Sequence, residues 1–290
     1  MRAAPNHPAT NTDFGSAALH AIATDPRLAK LRTVLVLKGG AALLLGYDSG
    51  RATRRDLDFD VRSQVAITDA DAAALLNALD AWNARNADIV RPGLKAQKIR
   101  NIAFTDPRSG DEGTIEIQIS KRNIPPTLHH LIRDLDYGDP LTGRRFQFPT
   151  MSREAIAAEK AVRVFKVTDK DGNAMPLPPV NDLYDIGFIA ETYRALKIGE
   201  VKTAFNLLCA DEAKEGKTKF VLDPAQLDQV ARRAMAAKTT RDLMGDGRVL
   251  QGVTFETARR RVLTGIRSVK GLVGLPAVLP PPPGTAARKP

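Results

Sequence analysis

The chain has a single cysteine in 290 residues, Cys209. An internal disulfide is therefore excluded, and the usage fits a reducing compartment. Cys209 lies in the apolar helical stretch "FNLLCADEA", so it is expected to pack rather than to attack a substrate. Aromatic residues are scarce, at 5%, so the cores must be built from Leu, Ile, Val and Ala. No apolar run approaches the roughly 18 residues that a membrane-spanning helix needs, so no membrane partner is expected. The segment "MRAAPNHPATNTDFG" has no apolar centre, which argues against a secretory signal and for a cytoplasmic location. Two phosphate-binding signatures are missing as well. There is neither a GxxxxGK[ST] loop nor a GxGxxG fingerprint.

What remains is an ordinary globular composition with 43% hydrophobic and 26% charged residues, enough for one large domain or two modest ones. The formal net charge is +10. Residues 1–150 hold 20 Lys and Arg against 17 Asp and Glu, whereas residues 151–290 hold 23 against 16. The basic excess thus lies mostly in the second half. A basic surface beside an acidic pocket suits an enzyme acting on a polyanion, although a generally basic protein has the same balance.

Residues 1–14 read as a flexible leader. "GSAALHAIATD" has helical patterning, "TVLVLK" that of a buried strand, and "GGAALLLGYD" helical composition after two glycines. "DLDFDVR" alternates like a strand, and "TDADAAALLNALDAWNAR" predicts a capped helix. "QKIRNIAFTD" and "TIEIQIS", separated by "PRSGDEG", predict a hairpin. "RDLDYGD", followed by Pro140, reads as a loop. From about residue 151 helical patterns dominate: "MSREAIAAEKAVRVFK", "VNDLYDIGFIAETYRAL", "GEVKTAFNLLCADEAK", "PAQLDQVARRAMAAK" and "FETARRRVLTGIRSVKGLV". The division expected is an α/β domain over 15–150, a helical domain over 151–275, and a disordered Pro-rich tail over 276–290.

The segment from Thr33 to Val61 carries the chemistry. A strand that runs into Gly39-Gly40 and then a helix can present backbone N–H groups to a phosphate, although a twin glycine is more often a tight turn. "DLDFD" places Asp56, Asp58 and Asp60 at alternate positions of a strand, so all three project from one face. Such carboxylates suit Mg²⁺, a hard ion that shares its shell with substrate phosphates. A solvated acidic face on an edge strand is the plainer alternative. Adjacent His129 and His130 cannot face one way, and a zinc site there is not expected.

The stretch "KGGAALLL", followed by "RATRRDLDFDV", resembles the first signature of the nucleotidyltransferase superfamily related to DNA polymerase beta. More narrowly it is similar to the AbiEii/AbiGii toxin nucleotidyltransferases, which include the MenT toxins. "AAEKAVRVF" and then "NDLYDI" resemble that family's C-terminal pair, an A-E-K helix and a D-x-Y-D helix. The matches span roughly residues 31 to 190, and the last hundred residues add nothing to the likeness.

The resemblance implies an α/β (α+β) core with a mixed sheet and a mainly helical C-terminal domain that contributes a lysine and an aspartate to the site. Gly39 and Gly40 would receive the nucleotide phosphates. Asp56 and Asp58 would hold Mg²⁺ or Mn²⁺, with an NTP as substrate. Lys160 would contact the triphosphate, Asp182 would complete the catalytic set, and Asp185 would support it. Arg163, one turn from Lys160 on the same helix face, can reach the same polyphosphate. The implied activity is that of a bacterial toxin which transfers NMP to RNA, above all the tRNA 3′ end, and so blocks translation, with a cognate antitoxin as partner.

The family often has Ser or Thr two positions before the first aspartate, where this chain has Arg54, with Thr53 one step back. Either a bulge restores the hydroxyl or Arg54 and Arg55 contact phosphate. The third carboxylate is equally open: "TIEIQIS" offers Glu116 and Gln118 on one face, so Glu116 serves or the site works with two aspartates. Transfer to a small molecule or a protein side chain is the alternative within enzymes, and a non-catalytic nucleic-acid-binding relative the alternative outside them.

Overall fold

A computed structural model describes residues 11–49, 56–62, 68–80, 88–90, 96–105, 112–139, 143–168, 171–174, 177–193, 196–213, 219–221, 223–236 and 253–273. The chain divides into two compact units, Met1–Ser152 and Arg153–Pro290. The expected tail over 276–290 and the first ten residues of the expected leader lie outside the described residues.

The first unit is built on a seven-stranded sheet. Its strands are β1 (Leu35–Lys38), β2 (Asp56–Val61), β3 (Asp88–Val90), β4 (Ala96–Thr105), β5 (Glu112–Asn123), β6 (Ile132–Gly138) and β7 (Arg145–Met151). The spatial order is β3-β4-β5-β2-β1-β7-β6. β2 pairs antiparallel with β1 and parallel with β5, and β1 pairs parallel with β7, so the sheet is mixed. β4 and β5 form the expected hairpin. Leu35, Val36 and Leu37 are all fully buried, the unbroken apolar run that a strand covered on both faces requires. On β2, Leu57 and Phe59 are buried between the aspartates, and Phe59 meets Phe148 of β7 edge-on at 5.8 Å. The acidic strand is therefore fourth of seven, not an edge.

Helix α1 (Asn11–Thr24) starts four residues inside the expected leader and buries Ala17, Ala18, Leu19 and Ile22. α2 (Ala29–Val34) takes Thr33 and Val34 from the expected first strand. α3 (Gly39–Ala41) continues as a π-helical turn over Ala42–Gly46, and α4 (Asp69–Asp80) follows β2. The expected loop "RDLDYGD" is instead strand β6, paired with β7 from Ile132↔Met151 to Gly138↔Arg145. Its acids alternate with Leu135 and buried Tyr137, and Phe146 and Phe148 alternate on the partner strand. The proline comes only after the pairing has ended.

The second unit is helical, with α5 (Arg153–Phe165), α6 (Val180–Thr192), α7 (Ile198–Ala213), α8 (Pro224–Ala236) and α9 (Phe255–Val273). α6 and α9 cross with their backbones nearly touching. A Cβ added at Gly187 would lie 1.8 Å from the Arg261 carbonyl oxygen, and one at Gly265 would lie 1.9 Å from that of Leu183. Each helix thus offers the other a residue with no side chain. Cys209 is fully buried on α7, as its apolar context predicts. Tyr184 is also core: it is fully buried on α6, its hydroxyl accepting from Arg261.

Candidate functional site

Two groups of charged residues contain the candidate site residues, one in each unit. The first is set by strand register. In the parallel pairing of β2 with β5, Asp56 lies opposite Glu116 and Asp58 opposite Gln118. Residues opposite one another share a face of the sheet, so the register puts Asp56, Asp58, Glu116 and Gln118 on one side. All four are half-buried. Among the described residues no group of three or more His, Cys, Asp or Glu side chains stands close enough to hold a metal ion. Glu116 is thus beside Asp56 in the register without completing a three-carboxylate cluster.

Gly39 sits under the second aspartate. Its φ of +65° is one that a side chain disfavours. A Cβ there would also come to 3.3 Å from Asp58 Oδ2. The glycine is therefore required twice, by its own conformation and by the carboxylate against it. Gly40 follows, buried, in α3.

Asp60 behaves differently from its neighbours. It is 6% exposed, and its Oδ1 lies 2.8 Å from Lys38 Nζ. Lys38 is the last residue of β1 and stands opposite Asp58 in the antiparallel register, so the ion pair runs diagonally across two strands. Sequence reading did not find Lys38. The signal was a lone lysine ending an apolar strand, meaningful only once that strand is known to lie beside the acidic one.

The donor set fits a magnesium-type ion. Asp56 and Asp58 would offer hard oxygen ligands from one face, and Mg²⁺ commonly takes one or two carboxylates with substrate phosphates and water completing its shell. Arg54, with Thr53 and Arg55, lies outside the described residues.

The second group joins α5 to α6. Lys160 is 1% exposed; its Nζ donates to Asp182 Oδ1 at 2.9 Å and lies 2.6 Å from Asp185 Oδ2. Arg163 donates to the same carboxylate through Nε at 2.8 Å and Nη2 at 2.9 Å. Two bases and two acids are thus interlocked, and Arg163 keeps part of its side chain exposed. Burial by itself would raise the Asp182 carboxyl, but Lys160 and Arg163 outweigh it and hold the group well below the usual carboxylate range. At neutral pH Asp182 is an anion that orients cations and does not accept protons. Glu159 faces Arg163 only at 4.0 Å, in keeping with a structural role.

The adjacent histidines and the arginine runs of the basic second half are accounted for within their units. His129 is half-buried, its Nε2 3.1 Å from the Ile124 carbonyl, while His130 is exposed. In the run Arg259–Arg261, Arg259 pairs with Glu256, Arg260 with Glu191, and Arg261 with Glu191 and Tyr184. These arginines serve the helical packing. Arg232 and Arg233 on α8 are exposed.

The family model for the nucleotidyl transferase AbiEii toxin of type IV toxin–antitoxin systems matches residues 27–258. No curated protein matches. Among solved structures, JHP933 from Helicobacter pylori is similar at 18% identity, over 92% of this chain and 96% of that one, with a TM-score of 0.54. A second Helicobacter pylori protein, described as a candidate nucleotidyltransferase, is similar at 20% identity over 92% and 98% of the two chains, with a TM-score of 0.51. At these identities the likeness shows the fold, a nucleotidyltransferase-like mixed sheet followed by helices.

Proposed function

The chain belongs to the AbiEii nucleotidyl transferase toxin family, and from that premise we propose that it is a metal-dependent toxin that moves NMP from an NTP onto RNA, at the tRNA 3′ end, and so stops translation. NTP-dependent nucleotidyl transfer is the activity of the family, and its type IV designation implies an antitoxin partner. Among the described residues no helix is long and apolar enough to cross a membrane, and we assign the protein to the cytoplasm.

The observation that carries the reading is the placement of Asp58, a half-buried carboxylate on a central strand, directly against the positive-φ glycine that follows β1. We assign Asp56 and Asp58 to hold Mg²⁺ or Mn²⁺, and Glu116, opposite Asp56, as a third carboxylate that would reach the ion by a change of rotamer. When bound, the metal would polarise the phosphoryl oxygens and balance the charge that builds on the leaving pyrophosphate. Gly39 and Gly40 let the triphosphate approach the backbone, and Arg54 contributes a phosphate contact. Lys160, Arg163 and Asp182 are assigned to the same reaction on the family's pattern. In this division Arg163, with exposed surface, contacts the polyphosphate, and Asp182 orients Lys160 and Arg163.

The test is incubation of the protein with each labelled NTP, Mg²⁺ and total tRNA. Label at the tRNA 3′ end is the expected result. Label on protein or small acceptors alone would move the proposal to a different acceptor class, and no pyrophosphate release with any NTP would end it.

A further inference from the structure

We propose that the outer face of the α8–α9 pair is a docking surface for the phosphate backbone of the acceptor RNA, gripped by Arg232 and Arg267. The inference rests on the reading of RNA as the acceptor. The two helices run antiparallel within the second unit. Lys270 Nζ of α9 lies 3.0 Å from Asp228 Oδ1 at one end of the contact, and Arg259 Nη1 lies 3.6 Å from Met235 Sδ at the other. Both helices bury apolar stripes, with Leu227 and Val230 on α8 and Val262 and Val269 on α9. Their outer charge is one-sided. α8 carries one acid against two bases, and α9 one acid against five.

The acids are already taken. Asp228 pairs with Lys270, Glu256 with Arg259, and Glu191 of α6 with Arg260 and Arg261. Arg232 and Arg267 are left over: both are exposed, and neither has a hydrogen bond, ion pair or ring contact among the described residues. Arg232 stands about 6 Å along α8 from Asp228, and Arg267 about 4.5 Å along α9 from Lys270. In an antiparallel pair both steps run the same way, so the two arginines reach nearly one level on helices about 8–10 Å apart. A guanidinium offers paired N–H donors that match a phosphate, and two so placed can hold one backbone without reading its bases. A protein partner would want a desolvated apolar centre. Met235 is the one large apolar side chain strongly exposed on the described parts of these helices, so charge complementarity favours the nucleic acid.

The experiment measures equilibrium binding of total tRNA to the full chain, without NTP, over a salt series from about 50 to 200 mM. Arg232→Gln and Arg267→Gln are each expected to weaken binding about fivefold near 0.1 M salt and to flatten the log–log salt slope by about 1. The double variant should flatten it by about 2. Asp228→Asn, which releases Lys270, should steepen the slope and tighten binding. In transfer, the double variant should raise the KM for tRNA and leave kcat and the KM for NTP at parental values. A purely structural role predicts the reverse pattern: a lower melting temperature with an unchanged salt slope. Folded variants with parental affinity and slope would overturn the inference, and a parent that still labels tRNA would keep the proposed function. Variants that lose binding to polyglutamate while holding tRNA normally would also overturn it, and would assign the face to an acidic protein. A parent that binds tRNA through these arginines but never labels it would keep the surface and remove the acceptor reading. A parent that neither binds nor labels tRNA would remove both.

Discussion

β2 gathers three aspartates, the last of them paired with a lysine from the neighbouring strand, whereas α5 and α6 bring two carboxylates onto two basic side chains. The sequence draws equal attention to both regions, since each carries a family motif. Their physics differs. Asp56 and Asp58 are half-buried and crowded by like charge, an arrangement that a divalent ion would stabilise. Lys160 and Asp185 are almost wholly buried and already balanced by their own partners. Removing a member of the first group relieves repulsion, whereas removing a member of the second leaves a buried ion exposed to its own desolvation cost.

The sharpest test of that difference is Asp58→Ala against Lys160→Ala. Asp58→Ala should reduce NTP-dependent pyrophosphate release to background while leaving the melting temperature in metal-free buffer unchanged or higher, as read by calorimetry alongside the activity assay. Lys160→Ala should also lose activity, but with a destabilisation of about 3–5 kcal/mol in urea denaturation, because two buried carboxylates lose their shared cation. Equal stability of Lys160→Ala and the parent would show that the helical group is not a structural lock. The comparison would then collapse.

Within the second unit, Gly187→Ala should cost about 1–3 kcal/mol, since α6 and α9 must part to admit a methyl group; far-ultraviolet melting curves measure it. Gly39→Ala should cost less stability, about 1–2 kcal/mol for the left-handed backbone, yet reduce kcat more than its stability loss suggests, because the new Cβ displaces Asp58. The smallest expected effect is that of acid. Asp182 titrates near 3.8 in the unfolded chain and lower in the folded one, so the folded state binds fewer protons. Its contribution is present above about pH 4 and drains away as pH falls below that value. Urea titrations from pH 6 to pH 3 should show this slope, and Asp182→Asn should flatten it.

Much of the layout is legible in the sequence, for reasons that are local. Alternation exposes β2 and β5, apolar periodicity exposes the helices of the second unit, and the twin glycine marks the end of β1. β6 is read as a loop because its acids and the nearby Pro140 mimic turn composition, while the evidence for a strand lies in the partner it pairs with, Phe146 and Phe148 alternating across from it. Lys38 escapes for a related reason, and Lys160 is reached only through the family resemblance. A lone lysine in a strand or helix looks solvated until another element's register supplies its carboxylate, and that information is tertiary. The arginine run on α9 shows the same limit, since its ion pairs with Glu191 and Glu256 depend on packing that composition does not reveal.

The reciprocal glycines of α6 and α9 have an effect that reaches beyond packing. Most of α9 lies past residue 258, where the family match stops, yet its backbone is the wall against which the helix bearing Asp182 and Asp185 is seated. A premature stop codon just before Phe255 would spare every residue assigned a part in the chemistry and still disarm the toxin.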